Sequence, residues 1–225
     1  TNHYFKHLGV SDGLSQVCIP SIYQDELGAV WLGTTEGLNR YNGKDVKVFQ
    51  PSESNHGLTN NEINELCGDK NGRMYIRSGN DLIKLDIYTE QFTCLRQKGV
   101  YGLFCKKDTL WVSCADGIYY YTGQGTELTF FARVQKGFVG RALYVDKETV
   151  WVVTRKYLVA ISREDPLRQE ILLTLDKGNC ILGDSSGNIW VGAWNGLYRI
   201  SPNRETTAYV SHSGMGELSD NQVRC

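Results

Sequence analysis

Short apolar runs separated by polar turn residues recur along the whole chain. In the first fifty residues the runs cover 17–23, 29–34, 38–41 and 46–49, and Gly, Asp or Asn stands between them. Runs of this length and alternation are typical of β-strands. An Asn-Gly pair at 42–43 is a strong hairpin signal between the third and fourth runs. The pattern therefore predicts four antiparallel strands joined by tight turns.

This four-strand pattern returns about every 40 residues, and each copy carries one aromatic residue on its second strand. The aromatic positions are Trp31, Tyr75, Trp111, Trp151 and Trp190. A β-type repeat of this length predicts an all-β propeller of four-stranded antiparallel blades, because one sheet cannot cover both of its own apolar faces. The predicted blades span approximately 17–49, 63–95, 102–133, 142–174 and 180–211. We expect the four Trp rings to lie between blades, with each indole N–H bonded to a backbone acceptor.

Both ends of the chain hold pieces that belong to no complete repeat. Residues 1–16 contain a predicted outer strand at 4–8 and a lead-in, and residues 218–225 resemble the start of a sixth blade. Each of the five blades already has its own outer strand, so 4–8 has no partner among them. We therefore expect most of a larger ring. Apolar blade ends and exposed strand edges favour an open arc that self-associates, or a dimer that buries the ends. The alternative is a strained closed ring of five blades.

Composition narrows the function classes. The 225 residues are 41% hydrophobic and 22% charged, with a net charge of −1. This is ordinary globular composition, and it predicts neither nucleic-acid binding nor direct membrane contact. No run is apolar enough to span a bilayer.

Cysteine and histidine positions indicate no metal site, and we predict no cofactor. The seven cysteines lack CxxC spacing, and five of them fall on predicted first strands, where we expect small buried hydrophobes. These five are Cys18, Cys67, Cys105, Cys180 and Cys225. The four histidines fall on outer strands or loops and predict no shared site. They are His3, His7, His56 and His212.

Aspartates also recur with the repeat, before each second strand. They are Asp25, Asp69, Asp108, Asp146 and Asp184. Carboxylates at turns usually accept hydrogen bonds from their own backbone, whereas acid–base catalysis needs groups that converge from different elements. We therefore predict that these aspartates form turns, and we predict no catalytic residue.

The repeat resembles the two-component regulator propeller repeat. The matching segments of the first copy are Gly-Leu-Ser at 13–15, Asp-Glu-Leu-Gly at 25–28, Val-Trp-Leu-Gly-Thr at 30–34 and Gly-Leu-Asn-Arg-Tyr-Asn-Gly at 37–43. The fifth copy, 184–197, matches nearly as well. The second copy has Tyr75 in place of Trp. The third and fourth copies lack the Gly that stands two residues after the Trp in the first and fifth.

The resemblance implies the periplasmic sensor half of a hybrid two-component histidine kinase. In that architecture two seven-bladed propellers precede a β-sandwich and a membrane span, and the sensor responds to oligosaccharides and controls polysaccharide-utilisation genes. This chain would then be five blades of a seven-bladed ring, without enzyme activity of its own, in a sensor that forms a homodimer. It would lie outside the cytoplasm as part of an inner-membrane protein.

Places where the repeat is broken are the candidate ligand-binding positions. Arg77 stands where the first and fifth copies have Gly33 and Gly192, so it must reach solvent or a carboxylate, for which Asp81 is a possibility. In the fifth copy, Trp194 lies at the head of a turn. With Asn195 and Arg199 it would offer a platform for a sugar face. For all four residues, packing or a solvated surface is the favoured interpretation, and ligand contact is the alternative.

Two other function classes stay open at this stage. A propeller enzyme, a lyase or a glycan hydrolase, would need His, Glu or Arg side chains from several blades at one end of the channel. A protein-interaction scaffold would use the blades as a docking face.

Overall fold

The computed structural model describes residues 7–51, 57–211, 218 and 220–223. Across these residues the chain is almost entirely β, with twenty strands and two single-turn 3-10 helices, Val10–Asp12 and Gln135–Gly137. The strands form five four-stranded antiparallel sheets, and in each sheet the strands are neighbours in sequence order. The predicted all-β class with four strands per repeat is confirmed.

The strands have the following bounds. Sheet one contains β1 (Ser21–Gln24), β2 (Val30–Thr34), β3 (Gly37–Tyr41) and β4 (Val46–Phe49). Sheet two contains β5 (Ile63–Gly68), β6 (Arg73–Ser78), β7 (Asp81–Asp86) and β8 (Gln91–Arg96). Sheet three contains β9 (Val100–Lys106), β10 (Thr109–Cys114), β11 (Gly117–Tyr121) and β12 (Thr129–Ala132). Sheet four contains β13 (Gly140–Val145), β14 (Thr149–Thr154), β15 (Tyr157–Ser162) and β16 (Gln169–Thr174). Sheet five contains β17 (Cys180–Gly183), β18 (Ile189–Ala193), β19 (Gly196–Ile200) and β20 (Thr206–Tyr209).

The chain divides into two compact units, which are described separately. The first unit contains sheets one and two, together with 107–110 and 122–127. The second contains most of sheet three and all of sheets four and five. In the first unit the apolar core lies between its two sheets, where Trp31 and Phe49 of sheet one pack with Ile63, Met74 and Ile76 of sheet two.

In the second unit, three successive sheets pack on one another, and an apolar core lies between each neighbouring pair. Trp111 and Ile118 of sheet three pack with Val152 of sheet four, and Trp151 of sheet four packs with Val191 of sheet five. Trp31, Trp111 and Trp151 therefore each face the sheet that follows in sequence. Face-to-face stacking of this kind buries apolar surface that a single sheet would leave in water.

The predicted burial of the four Trp rings is confirmed for three of them. Trp31 is 0% exposed, and Trp111 and Trp151 are each 5% exposed. Trp190 is only half-buried; its ring stacks on Tyr209 at 5.8 Å between centroids. Among the described residues no strand follows sheet five, so the face that carries Trp190 is covered only in part.

The predicted backbone acceptor for the indole N–H is wrong for Trp31, Trp151 and Trp190, because the acceptor is the repeat aspartate. Trp31 Nε1 donates to Asp25 Oδ2 at 2.8 Å, and Trp190 Nε1 donates to the Asp184 carboxylate at 2.9 Å. The other oxygen of Asp25 accepts the backbone N–H groups of Leu27 and Ala29. One carboxylate thus closes the turn between the first two strands and fixes the ring that follows it. The prediction that the aspartate forms a turn is confirmed for Asp25. Its second oxygen also accepts the hydrogen bond from the indole.

The second repeat replaces the Trp donor and keeps the aspartate. Tyr75 has no ring N–H, and the Asp69 carboxylate accepts a hydrogen bond from Arg73 Nε instead. Asp69 Oδ1 still accepts the backbone N–H groups of Asn71 and Arg73. An arginine two residues before the aromatic position therefore supplies the donor that the Trp supplies elsewhere.

In the third repeat, the prediction that Asp108 forms such a turn is wrong. Its side chain is 67% exposed, and it accepts a hydrogen bond from Asn71 Nδ2 at 2.6 Å. Lys106, not Asp108, stands five residues before Trp111, as Asp146 stands five residues before Trp151. The hairpin here is tight, with Lys107 at a φ of 51°, so the aspartate falls on its exposed tip.

The bond to Trp190 gives Asp184 a measurable pH signature. Hydrogen bonds from the Trp190 indole and from Asn188 lower the pKa of Asp184 from 3.8 to about 2. Because the folded pKa is depressed, this carboxylate stabilises the fold above pH about 4 and loses that contribution as pH falls towards about 2. We expect Asp184→Asn to be less stable than the wild type at pH 7 and to show a smaller further loss in that acid window.

Urea unfolding at a series of pH values measures this effect. The matched control is Asp108→Asn, which removes an exposed carboxylate that no indole contacts, and it should keep the acid sensitivity of the wild type. Equal pH slopes for the wild type and Asp184→Asn between pH about 4 and about 2 would contradict the assignment.

Cys67, Cys105 and Cys180 lie on the first strands of their sheets, as predicted, but the prediction that these side chains are buried is wrong. Only Cys114 is buried among the described cysteines, and Cys18 is exposed and lies before β1, which begins at Ser21 rather than at 17. The other four are half-buried. Cys225, His3, His56, His212 and residues 4–6 of the predicted first outer strand lie outside the described residues. His7 and Leu8 are described, and neither is in a strand.

Candidate functional site

Arg77 lies on β6 opposite Glu65 of β5, and it is half-buried. Its Nε is 3.3 Å from Glu65 Oε2, and Nη1 donates to the Gly79 carbonyl at 3.3 Å. Asp81, the partner considered from the sequence, instead accepts the backbone N–H of Lys98. The Arg77 charge is thus offset by a neighbour on the adjacent strand. Arg77 belongs to the first unit, whereas the other three predicted positions belong to the second.

Trp194 and Asn195 form the turn between β18 and β19, and the structure brings both against the segment that leads into sheet five. Trp194 N–H donates to the Asp176 carbonyl at 2.8 Å, and Asn195 Oδ1 accepts the Asp176 N–H at 3.0 Å. Lys177 Nζ lies 3.4 Å from the centroid of the Trp194 ring, a cation–π contact. The half-buried indole therefore has an amide and an ammonium beside it.

Arg199 is not part of this turn. It pairs in register with Trp190, three residues further along β19 than the turn residue Gly196, which is roughly 10 Å at the strand rise of ~3.3 Å per residue. Its Nη2 donates to Thr207 Oγ1 at 3.3 Å. Arg40 occupies the matching place in sheet one, 5.5 Å from the Trp31 ring. Arg199 thus repeats a packing position, and the predicted platform reduces to Trp194 and Asn195.

This turn is linked by hydrogen bonds to a second turn of the same unit through the segment 175–178. The turn at 155–156 is bonded to the segment 175–178 through Leu175 N–H to the Lys156 carbonyl at 2.7 Å, and Gly178 N–H to the Arg155 carbonyl at 3.0 Å. The same segment is bonded to the turn 194–195, as described above. We call the three segments 155–156, 175–178 and 194–195 the connection rim.

A cleft of about 440 Å³ opens beside the connection rim. Its lining residues are Tyr101, Phe138, Val139, Arg141, Thr154, Arg155 and Lys156. These come from three separated segments of the chain, which is why the repeat pattern does not reveal them. The three cations, Arg141, Arg155 and Lys156, are exposed. The Phe138 ring packs on Tyr157 with centroids 4.9 Å apart.

A larger cleft of about 710 Å³ lies at the hairpin tips of sheets four and five. Its charged lining residues are Lys147, Arg163, Arg168, Arg204, Glu148, Glu164 and Glu170. Several of its cations already have partners in the chain. Arg204 forms an ion pair with Glu170, and Arg163 donates to the carbonyls of Asp146 and Lys147 at 3.0 Å.

Within the described ranges, no cluster of three or more His, Cys, Asp or Glu side chains is placed to hold a metal ion. The same residues contain no helix of the length and apolarity needed to cross a membrane.

Comparison with known proteins gives one family match and several relatives. The family model for the two component regulator propeller matches residues 13–36. Histidine kinase P4 of Formosa agariphila is 40% identical over 50 residues, which is 22% of this chain and 4% of that protein.

Many solved structures share the fold, and two of them illustrate the likeness. The extracellular domain of a B. thetaiotaomicron protein assigned as a hybrid two component system superposes with a TM-score of 0.79 at 23% identity, over 96% of this chain and 33% of that one. Virginiamycin B lyase from Staphylococcus aureus superposes with a TM-score of 0.66 at 12% identity, over 86% of this chain and 70% of the lyase. At these identities the likeness concerns the fold alone. The chain spans about a third of the first structure and a small part of the histidine kinase.

Proposed function

We propose that this chain, a propeller segment that carries the two-component regulator propeller repeat, is a ligand-sensing part of a hybrid two-component histidine kinase. One observation carries the proposal: the repeat matched at residues 13–36 lies on a fold shared over 96% of the chain with the extracellular domain of such a system. In this proposal the chain is periplasmic and has no enzyme activity, and the kinase lies elsewhere in the protein.

The same proposal gives the expected setting of the chain. It contributes five blades to a seven-bladed ring, in a sensor that forms a homodimer. Ligand binding outside the cytoplasm then controls genes for polysaccharide utilisation. These statements rest on the resemblance of the repeat, and the sequence of the whole protein tests them directly.

The proposed ligand is an oligosaccharide, and the proposed contact is the turn at Trp194. An indole offers a flat apolar surface to the C–H face of a sugar, while polar groups at its edge fix the orientation of the hydroxyls. Lys177 Nζ lies 3.4 Å from the ring centroid and covers one face of the indole, so the sugar would stack on the other face. Asn195 supplies an amide beside the ring. Arg77 is paired with Glu65, and Arg199 donates to Thr207. The proposed contact at Trp194 therefore does not depend on either arginine.

We expect Trp194→Ala to weaken oligosaccharide binding about tenfold or more. Stacking of a nucleic-acid base on one aromatic ring is worth ~1–3 kcal/mol, and a similar gain for a sugar face corresponds to at least a tenfold change in affinity. Isothermal titration of this chain with a panel of neutral and anionic oligosaccharides measures the effect. The matched control is Phe130→Ala, which removes an aromatic ring that is 52% exposed on β12. Equal affinity of Trp194→Ala and the wild type would contradict the assignment of this turn.

Turnover assays on the same panel separate a sensor from a propeller enzyme. We expect binding without conversion of the sugar. Hydrolysis or elimination by the chain that a single point substitution abolishes would overturn the sensor proposal in favour of a lyase or glycan hydrolase. Binding of a protein partner with no response to any glycan would favour the scaffold.

A further inference from the structure

We infer that the 440 Å³ cleft beside the connection rim binds the acidic group of the ligand, so that the sensed oligosaccharide is anionic, bearing carboxylate or sulfate groups. This inference rests on the proposed function. It adds a second contact region to the turn at Trp194 and names the chemical class of sugar, on the basis of residues that the repeat pattern does not mark.

The first argument is the charge of the lining. Arg141, Arg155 and Lys156 lie at the cleft, and its lining contains no Asp or Glu. No ion pair joins any of these three cations to another residue of the described part of the chain. Asp176 belongs to the rim, but it is not among the lining residues.

The second argument is the contrast with the larger cleft of this unit. The larger cleft contains four cations and three glutamates, and its Arg204 is paired with Glu170. Its positive charge is therefore largely neutralised within the chain. The connection-rim cleft keeps its positive charge uncompensated, and a concave surface of one sign concentrates counter-ions of the other. The overall charge of −1 does not explain such a local excess.

The third argument is the kind of anion that fits. Besides its three cations, the cleft is lined by the apolar or aromatic side chains of Tyr101, Phe138 and Val139. A simple inorganic anion would use only the charges, whereas an acidic sugar also presents a C–H face to aromatic rings. Arginine offers paired N–H groups that match the two oxygens of a carboxylate or sulfate. The two turns of the rim are joined through 175–178, so an oligosaccharide can contact both the cleft and Trp194.

Matched ligand pairs test the charge preference. We would titrate the chain with oligogalacturonate and its methyl ester, and with a sulfated galactan oligosaccharide and its desulfated form. The first pair tests carboxylate and the second tests sulfate. We expect one or both acidic members to bind at least about tenfold more tightly than their neutral partners, since one charge-assisted contact is worth about 1.4 kcal/mol or more. Raising the salt concentration should weaken only the acidic members.

Charge-removing variants locate the site. Lys156→Gln and Arg141→Gln should each weaken binding of the acidic ligand about tenfold and leave binding of neutral sugars unchanged. Both side chains are exposed, so folding should be retained, which circular dichroism checks. The control is Lys147→Gln, which removes one positive charge from the larger cleft and should leave the affinity unchanged.

The outcomes separate the two levels of the proposal. Equal binding of neutral and acidic members, or equal losses in Lys156→Gln and Lys147→Gln, overturns the inference while the oligosaccharide sensor stands. Binding of the neutral members alone likewise overturns the inference and leaves the oligosaccharide sensor standing. If no sugar of either kind binds, the proposed oligosaccharide function fails, and the inference fails with it.

Discussion

Replacing Trp31 with Ala is expected to lower the free energy of unfolding of the first unit by about 3–5 kcal/mol, the usual cost of truncating a large buried aromatic. The ring is 0% exposed and lies in the core between sheets one and two. It stacks on Phe49 with centroids 5.7 Å apart. Truncation would leave a cavity between the sheets and would also remove the indole donor from the buried carboxylate of Asp25.

Urea unfolding followed by far-ultraviolet circular dichroism measures this loss. The control is Trp194→Ala, in which the truncated indole is half-buried in a turn, and we expect a much smaller change. Trp31→Phe should recover part of the loss because it restores ring volume without the donor. A loss under about 1 kcal/mol for Trp31→Ala would contradict the assignment of this ring to the core.

Replacing Gly33 with Ala is expected to destabilise the same unit by about 1–3 kcal/mol through overpacking. A Cβ at Gly33 would lie 2.8 Å from Ile63 Cγ2 and 3.0 Å from the Ile63 carbonyl oxygen. Both distances are shorter than ordinary van der Waals contacts, and the second involves backbone. The glycine therefore gives the first strand of the next sheet room to approach.

A double-mutant cycle with Ile63→Ala tests this explanation. Ile63→Ala alone should cost about 2–5 kcal/mol because it opens a cavity, and the double variant should lose less than the sum of the two single losses, by ~0.5–3 kcal/mol. The control is Gly9→Ala, where an added Cβ would have its nearest neighbour at 3.8 Å. Strictly additive losses in the cycle would show that the two positions do not compete for space.

The same contact explains why the third and fourth repeats lack this glycine. There the second strand carries Ser113 or Val153, and the glycine appears in the incoming segment instead. A Cβ at Gly140 would lie 2.5 Å from Ser113 Oγ, and one at Gly178 would lie 2.8 Å from Val153 Cγ1. In the fifth repeat, Gly192 again faces a large residue, Val223. In the third and fourth repeats the glycine therefore lies on the incoming segment instead of on the second strand, and neighbouring sheets still approach closely.

Local sequence determined the class and the strand plan of this protein. Alternation with a period of two and turn residues such as Asn42-Gly43 act over a few positions, so four strands per repeat could be predicted without tertiary contacts. The burial of Trp31, Trp111 and Trp151 followed as well, because only a neighbouring sheet can cover so large a ring. Strand ends were less well defined, and β1 begins at Ser21 rather than at 17.

Only the tertiary structure decided which polar groups meet. The repeat spacing gave an aspartate and a tryptophan, but their hydrogen bond depends on how the turn folds back over the next strand. Arg77 meets Glu65 because of the strand register, and Arg199 stands opposite Trp190 for the same reason. The cationic cleft joins Arg141 to Lys156 through the packing of separate segments. Strand periodicity is set by neighbours along the chain, whereas these contacts depend on register and sheet stacking, which bring distant residues together.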